Sequence, residues 1–363
     1  MKGACSNQIF DVIIIGGGIT GSTTSVFLKK LGYKVAIIEK TNLNKFKAGE
    51  SLSPECKRFF NLMDFNLDET IATDYYANHS SWGSRETVIK DFIFNPYGCG
   101  ISIDRQLLEQ HLMKHTCSSG NEILLESTVL QIQFCNDVWE IRINKDGVNS
   151  MIRSRLIIFA TGRVTPFKTA GLKRSYRDKL VAITMITKLD ELKPAQKYLT
   201  IEAMKNGWFY TNIIPQGKRV LTFFSDFDIL PKSKYEYFKD QLKLTNWFQQ
   251  QGDGVIETNN KLSVADARTS WSNCQSGYKW IEIGDAAYTI DPLSGQGILK
   301  NFDMINFCID HMESFLKGDV EIHQIYNDFN LNKFNSYQQQ RENVYGMESR
   351  WEGSAFWLRR RGG

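Results

Sequence analysis

The sequence predicts an α/β fold that opens with a Rossmann-like parallel sheet and continues into a sheet-rich second domain and a helical C-terminus. Three observations favour this fold. The apolar run Val12–Ile15 predicts a buried strand, and it leads directly into the glycine-rich stretch Gly16–Gly21. A helical pattern follows over Ile19–Leu31, and a second apolar run, Val35–Ile38, ends at Glu39. This order of strand, Gly-x-Gly-x-x-Gly, helix, strand and acid is typical of a dinucleotide-binding unit.

Each glycine of the motif has a predicted role. Gly16 permits a tight turn, Gly18 lets the backbone approach a pyrophosphate, and Gly21 lets the helix pack on the strand. The free N–H groups and the dipole of the helix N-terminus favour the anion. Glu39 lies 18 residues after Gly21 (39 − 21), where a carboxylate accepts a ribose hydroxyl, and Lys40 beside it is a further candidate for cofactor binding.

The later elements follow from local patterns. Asp104 and Arg105 begin an amphipathic helix that extends to about Cys117. Residues 122–159 alternate like an antiparallel meander, with a hairpin turn at Asp146-Gly147. The meander ends in a buried strand followed by Ala160-Thr161-Gly162. Residues 163–275 are rich in strand patterns, Trp280–Ile283 is another apolar strand, residues 298–316 have helical spacing, and the last fifty residues are mostly helical.

These elements predict three parts of the chain. A discontinuous cofactor-binding domain comprises residues 1–60, 92–162 and 276–320. A substrate domain comprises residues 61–91 and 163–275, and residues 321–363 form a C-terminal helical segment. We expect the substrate domain to cover a cleft at the carboxyl ends of the parallel strands.

The composition is that of a globular protein. The 363 residues are 42% hydrophobic and 23% charged, with a net charge of +4. That charge is small for the length and no basic stripe is interleaved with aromatic residues, so we expect no nucleic-acid partner. The one basic cluster, Arg359–Arg361, is expected to be a solvated tail.

The cysteine, histidine and hydropathy patterns argue against a disulfide-rich, a metal-binding or a membrane-spanning protein. The seven cysteines are odd in number and include no Cys-x-x-Cys, so neither a disulfide framework nor a zinc site is indicated. His111 and His115 are four residues apart on a polar helix without a metalloprotease motif, and we predict no metal site. No signal peptide or apolar run long enough to span a membrane is present, so we expect a cytoplasmic protein.

A second glycine-rich signal lies near residue 290. The strand Trp280–Ile283 ends at Gly284-Asp285, and the turn Asp291–Gly297 opens a helix at Ile298. Asp285 can accept hydrogen bonds from a polyol, and the amides of Gly295, Gly297 and Ile298 can meet a partly anionic ring edge. A flavin has a ribityl chain, whereas a nicotinamide dinucleotide has no polyol linker, so this signal favours FAD.

Taken together, these segments resemble those of FAD-dependent monooxygenases of the hydroxylase and tryptophan-halogenase-like superfamily. The matching segments occur in the order of that family across nearly the whole chain: Gly16–Gly21, Glu39, Gly49–Leu52, Asp104-Arg105, Ala160–Gly162, Gly284-Asp285 and Asp291–Gly297. The resemblance implies that Arg105 contacts the phosphate or ribityl region, that Gly162, Gly284 and Asp285 lie along the cofactor, and that Pro292–Gly297 line the isoalloxazine.

Narrower matches resemble a short branch of the superfamily that matures quinone-cofactor oxidases. They are Ser81–Ser84, Glu202–Pro215, Thr222–Asp226 and Arg350–Arg360. The resemblance implies hydroxylation of a tryptophan of a partner polypeptide on the way to cysteine tryptophylquinone, with a precursor oxidase as that partner. Two departures argue against halogenation. No lysine lies between Arg58 and Lys90, where tryptophan halogenases carry one, and Trp208–Pro215 replaces the Trp-x-Trp-x-Ile-Pro motif.

Three residues are candidates for catalysis. Glu50 follows a glycine on the loop between the second strand and the cleft, which places it nearest the expected reaction centre; the alternative is a carboxylate at a helix N-terminus. His79 and Asp291 are candidate proton carriers, because a histidine titrates near neutral pH. The alternative for His79 is a hydrogen-bonded strand residue.

The sequence therefore predicts an FAD-dependent monooxygenase that uses O2 and hydroxylates an aromatic substrate. The electrons come from NAD(P)H or from flavin reduced by another protein, and the single Gly-x-Gly-x-x-Gly leaves both open. Three alternatives remain: a small-molecule hydroxylase or halogenase, a flavin reductase resembling geranylgeranyl reductases, and an FAD-stabilised binding protein. For a polypeptide substrate we expect exposed aromatic and cationic residues at the cleft rim, with Trp82, Trp208, Tyr210 and Trp351–Arg361 as candidates. The alternative is that these aromatic residues all belong to the core.

Overall fold

The computed structural model describes residues 8–44, 47, 50–164, 172–189, 197–251 and 261–361. Elements are numbered in chain order. Among these residues the largest sheet has eight strands: β1 (Ile9–Ile15), β2 (Val35–Ile38), β8 (Glu122–Leu124), β9 (Ser127–Cys135), β10 (Val138–Lys145), β11 (Val148–Phe159), β19 (Ser276–Gly277) and β20 (Trp280–Glu282).

The middle of this sheet is parallel, in the order β20-β11-β1-β2-β8. In the register of β1, Ile13 pairs with Ile157 on one side and with Ala36 on the other. The N-terminal half of the long strand β11 also pairs antiparallel with β10, and β10 with β9, which forms the predicted meander. Its hairpin turn has positive φ at both Asp146 and Gly147, as a type I′ turn requires.

A seven-stranded sheet carries the second half of the fold. Its strands, in spatial order, are β17 (Ser263–Asp266), β13 (Leu180–Lys188), β16 (Lys218–Asp226), β15 (Gly207–Ile214), β14 (Tyr198–Met204), β5 (Ala77–Ser81) and β6 (Val88–Asp91). Two small sheets connect it to the parallel sheet. One contains β3 (Ser51–Leu52), β4 (Ala72–Tyr75) and β7 (Gly100–Ile103), and the other β12 (Arg174–Tyr176), β18 (Ser270–Ser272) and β21 (Tyr288–Thr289).

The helices of the described residues are α1 (Ile19–Lys30), α2 (Lys57–Leu62), α3 (Arg105–Ser118), α4 (Lys234–Lys243), α5 (Asn246–Gln251), α6 (Gly297–Asp310), α7 (Met312–Lys317), α8 (Val320–Gly346) and α9 (Ala355–Leu358). The side chain of Asp104 caps α3 by accepting from the Leu107 N–H at 3.2 Å. The single helix predicted over 298–316 is instead divided, because His311 leaves helical geometry between α6 and α7.

Packing on both faces of β1 explains the apolar run Val12–Ile15. Val12 and Ile14 pack into the cluster beneath the helices, which includes the stacked pair Phe59 and Phe302 at 4.2 Å. Ile13 and Ile15 pack on the opposite face, against the meander. A parallel strand that is buried on both faces has apolar side chains at consecutive positions. Each fully buried apolar side chain stabilises the fold by roughly 1.5–3 kcal/mol.

The predicted fold class is confirmed: an α/β unit with a parallel sheet, a sheet-rich part and a helical C-terminal region are all present. The predicted division into domains stays a prediction. Among the helices described here, none is both long enough and apolar enough to cross a membrane.

Candidate functional site

A cavity of about 880 Å³ lies where the carboxyl ends of the parallel strands face the seven-stranded sheet. The residues that follow β1, β2, β11 and β20 line one side, as expected for a ligand site in an open parallel sheet. Ala182, Trp208, Tyr210, Thr222 and Phe224 of the seven-stranded sheet line the other side. The cavity therefore brings together two groups of residues that are far apart in sequence.

The glycine motif forms one end of this cavity. Gly16 has φ +110°, and a Cβ there would lie 2.3 Å from the Ala160 carbonyl oxygen. A Cβ at Gly21 would lie 1.9 Å from the Gly16 carbonyl oxygen, so α1 can approach β1 only without a side chain. Gly18 differs, because a Cβ there would meet nothing closer than Glu109 Oε1 at 3.8 Å. Among the described residues no neighbour requires a glycine at position 18, and Gly18 lines the cavity.

Glu39 lies at the end of β2 and is buried. Its carboxylate accepts from the Gly17 N–H at 2.8 Å and from the N–H and hydroxyl of Thr41 at 2.9 and 2.7 Å. It thereby ties the glycine loop to the second strand while lining the cavity. Lys40 also lines the cavity and is exposed.

A charge cluster beside the glycine loop was not predicted from the sequence, apart from Arg105. Glu109 on α3 is buried and pairs with Arg105, whose Nε lies 3.2 Å from its carboxylate, and with Lys47. Lys47, Arg105 and Glu109 together carry one net positive charge beside the glycine loop. This charge and the helix dipole both favour a pyrophosphate. The four-residue spacing of Arg105 and Glu109 was the available sequence signal.

Asp285 lies in the middle of the cavity lining. Its carboxylate is 3.1 Å from Lys300 Nζ and 3.8 Å from Arg163 Nε, and its side chain is 32% exposed, toward the cavity. Burial alone would raise the pKa of Asp285, but the positive charges of Lys300 and Arg163 outweigh it and lower that pKa. The carboxylate is therefore ionised at neutral pH and can accept hydrogen bonds from hydroxyl groups.

The predicted turn near residue 290 forms the next part of the lining. Asp291 caps a 3-10 turn at Pro292–Ser294, and Gly295 adopts a left-handed conformation, φ +62°, before α6 begins at Gly297. A Cβ at Gly295, Gly297 or Gly162 would meet no atom of the described part of the chain within 4 Å. Pro292, Gly295, Gly297, Ile298 and Gly162 all line the cavity, whereas Gly284 lies behind it, where a Cβ would meet Thr20 at 2.8 Å.

Another part of the cavity lining, on the seven-stranded sheet, is an aromatic wall. Trp208 and Phe224 stack with their ring centroids 3.9 Å apart, and Tyr210 lies on the same strand as Trp208. The Tyr210 hydroxyl is buried, and no atom of the described residues has hydrogen-bond geometry with it, although Ser51 and Asn212 lie near. Burial, and then the nearby Glu50 carboxylate, raise the pKa of Tyr210.

The three catalytic candidates occupy different environments. Glu50 is buried and lines the cavity. Asp291 also lines it, but its carboxylate is engaged by Arg341 Nε at 3.2 Å and by the Tyr345 hydroxyl at 2.9 Å. His79 is not among the lining residues and stacks on Tyr198 at 3.7 Å, and burial lowers its pKa. Their catalytic roles stay predictions. Gly49, which precedes Glu50, lies outside the described residues.

Two expectations about exposed residues, one at the C-terminus and one at the cleft rim, are wrong. Arg360 is not solvated: it is 3% exposed and forms a two-pronged ion pair with Asp226, at 2.6 and 3.1 Å. The aromatic residues expected at an exposed rim instead form a buried cluster, in which the partly buried Trp82 packs edge-to-face on Trp208, Tyr345 and Trp357. Burial of the large aromatic surfaces outweighs their display to solvent.

The donor set fits FAD. Open space at Gly18, positive charge beside α1, an ionised Asp285 at mid-cavity and open glycines on the 295–297 turn follow one another along one cavity. The glycine motif and the charge cluster would hold the pyrophosphate, Asp285 would hold the ribityl chain, and the turn would hold the isoalloxazine ring.

Comparisons with known proteins agree with this fit. Residues 11–49 match the sequence profile of the family described as FAD dependent oxidoreductase. The chain is 23% identical, over 97% of both sequences, to a protein of Marinomonas mediterranea named as an FAD-dependent oxidoreductase, LodB. It is 22% identical to digeranylgeranylglycerophospholipid reductase of Thermoplasma volcanium, over 80% of this chain and 74% of the reductase.

Two solved structures have the same fold. The flavin-dependent halogenase CmlS has a TM-score of 0.82 at 21% identity, over 98% of this chain and 68% of CmlS. The peptidyl tryptophan dihydroxylase QhpG, described as essential for tryptophylquinone cofactor biogenesis, has a TM-score of 0.78 at 20% identity, over 98% of this chain and 79% of QhpG. The chain has the fold shared by these flavoproteins, and its glycine-motif segment matches the FAD-dependent oxidoreductase family.

Proposed function

We propose that this protein is a flavin monooxygenase that hydroxylates an aromatic ring, namely a tryptophan side chain of a partner polypeptide during quinone-cofactor biogenesis. One observation carries the proposal. The aromatic wall of Trp208, Tyr210 and Phe224 faces, within one cavity, the turn that would hold the flavin ring. An aromatic substrate placed against this wall would lie between the wall and the cofactor.

The chemistry divides between cofactor and protein. Reduced FAD, when bound, supplies the two electrons that split O2, so that one oxygen atom enters the ring and the other leaves as water. The buried wall excludes water and orients the substrate ring. Glu50 lies at the cavity with a largely desolvated carboxylate, where it can accept a hydrogen bond from an indole N–H or take the proton that the ring loses.

Two features support hydroxylation over halogenation. The chain has no lysine between Arg58 and Lys90. The lysines that line the described cavity near the glycine motif are Lys40 and Lys47, and Lys47 is paired with Glu109. We therefore expect no chlorinated or brominated product with reduced flavin, O2 and halide, and detection of one by mass spectrometry would refute this part of the proposal.

A second candidate is hydroxylation of a small aromatic molecule. The burial of Trp208 and Trp357 favours it, because exposed aromatic anchors for a polypeptide are not where we expected them. The likeness to a lipid reductase adds a third reaction class, which product analysis also separates.

The deciding experiment is co-expression with a precursor of a quinone-cofactor oxidase. We expect peptide mass spectrometry to find one or two added oxygen atoms on a tryptophan with the wild-type chain. We expect little addition with Glu50→Gln, which keeps the size of the side chain but removes its charge. Efficient oxygenation of free tryptophan, with none of the precursor, would instead establish the small-molecule reaction.

A further inference from the structure

A buried chain of hydrogen bonds connects the two sides of the cavity. Trp208 Nε1 donates to the Tyr345 hydroxyl at 3.0 Å, and that hydroxyl donates to Asp291 Oδ2 at 2.9 Å. Trp208, Tyr345 and Asp291 are each no more than 1% exposed. Hydrogen bonds in such a dry setting are strong and costly to break, so the three groups hold one another in place.

At one end of this chain, Asp291 controls the cofactor-facing turn. Its Oδ1 accepts from the Leu293 N–H at 3.0 Å, and its own N–H donates to the Tyr337 hydroxyl at 2.5 Å. Arg341 holds Oδ2 at 3.2 Å and reaches Asp178 at 3.3 Å. The conformation of the turn therefore depends on where the Asp291 carboxylate is held.

At the other end, Trp208 belongs to the aromatic wall. It lies on β15 and stacks on Phe224, and both rings line the cavity. Tyr345 lies on α8, which belongs to neither sheet. Its hydroxyl thus joins the substrate wall and the cofactor-facing turn from a third element.

We propose that Tyr345 is a positioning residue whose hydroxyl fixes the aromatic wall relative to the turn that holds the flavin ring. This inference rests on the proposed function, which assigns the aromatic wall to the substrate and the turn to the flavin. Without the hydroxyl, Asp291 keeps Arg341 but loses one donor, and Trp208 loses its acceptor. The turn and the wall then move independently, and the surroundings of the flavin ring change.

The test uses the FAD-loaded protein without substrate. The variants are Tyr345→Phe, Trp208→Phe and the double variant, and the readouts are the reduction potential and the visible circular dichroism of bound FAD. We expect Tyr345→Phe to shift both and to weaken FAD binding by up to about tenfold. We expect Trp208→Phe to shift them as well, and the double variant to shift them by clearly less than the sum of the two single shifts.

Tyr326→Phe is the matched control. Tyr326 lies on the same helix, is fully buried and donates one hydrogen bond, to the Glu282 carbonyl oxygen at 2.8 Å, but it does not line the cavity. Its loss should lower the unfolding temperature and leave the flavin signals unchanged. If Tyr345→Phe does not fold, Trp208→Phe still removes the hydrogen bond between Trp208 and Tyr345 and must shift the flavin signals.

Two results would overturn the inference. One is additive effects of Trp208→Phe and Tyr345→Phe, since independent groups do not form a chain. The other is flavin signals that move no more with Tyr345→Phe than with Tyr326→Phe. Neither readout needs a substrate, so the inference can stand if no hydroxylated product is found, and can fail while the hydroxylation is confirmed.

Discussion

Replacing Asp285 with alanine should weaken FAD binding and also destabilise the protein without FAD. The carboxylate is ionised and open to the cavity, so it can accept charge-assisted hydrogen bonds from the ribityl hydroxyls. Loss of such a bond costs about 1.5–3 kcal/mol, which corresponds to a roughly tenfold to hundredfold increase in the dissociation constant.

The loss of stability comes from Lys300. This lysine is 8% exposed, and its Nζ contacts Asp285 at 3.1 Å and the Tyr288 carbonyl oxygen at 2.5 Å. Removing one partner of a buried ion pair typically costs about 3–5 kcal/mol. Asp285 keeps 32% of its side-chain exposure, so we expect the lower end of that range.

Two measurements separate the effects: fluorescence titration for FAD affinity and denaturant unfolding of the FAD-free protein. The double variant Asp285→Ala, Lys300→Met removes the unpaired ammonium and should recover much of the stability without recovering affinity. The reasoning is refuted if Asp285→Ala lowers stability while the dissociation constant of FAD is unchanged, because Asp285 would then serve only Lys300.

Three further predictions follow from the same geometry. Gly18→Val should abolish FAD binding and leave a folded protein by circular dichroism, whereas Gly21→Ala should disrupt folding, since its Cβ would lie 1.9 Å from the Gly16 carbonyl oxygen; full FAD binding by the first variant would contradict the phosphate-loop assignment. Arg360→Met should lower the free energy of unfolding by about 3–5 kcal/mol, because it leaves Asp226 buried beside a weaker partner. Arg359→Met changes a side chain that is 39% exposed and should lower it by about 1 kcal/mol or less. Equal losses in denaturant unfolding would show that burial does not set the difference. Burial raises the pKa of Glu282 to about 7, although Ser272 and Arg174 act to lower it, so the native state keeps a proton that the unfolded state releases above about pH 4.5. The free energy of unfolding should therefore fall by on the order of 3 kcal/mol as the pH rises from 4.5 to 7. Glu282→Gln should remove this fall in thermal unfolding measured across that range.

Local patterns in the sequence determined the elements around the glycine motif and the parallel sheet. The strand before Gly16, the capped helix after Asp104 and the hairpin at Asp146-Gly147 all depend on neighbours within a few residues. Steric limits on backbone conformation act at this range, and so does hydrophobic periodicity. The cavity-lining residues near Gly16, Asp285 and Gly295 could be named for the same reason.

Pairings across long sequence separations were decided by the tertiary structure. Glu109 meets Lys47 from 62 residues away, Arg341 meets Asp291 from 50, and Arg360 meets Asp226 from 134. Nothing local distinguishes Arg360 from a solvated arginine, because its partner is set by how α9 packs on β16. The Tyr345 hydroxyl is a similar case, since it contacts Trp208 on β15 and Asp291 at the turn only because α8 packs against both.

The sequence by itself therefore determined the glycine motif and the glycine-rich turn that line the cavity, because both are built from contiguous backbone. Only the tertiary structure decided which carboxylates are paired and which aromatic rings are buried. Glu50 shows the division: its place after the second strand was visible in the sequence, but its burial beside the aromatic wall required both sheets to be assembled. Backbone conformation is a local property, whereas desolvation and ion pairing depend on everything that packs around a group.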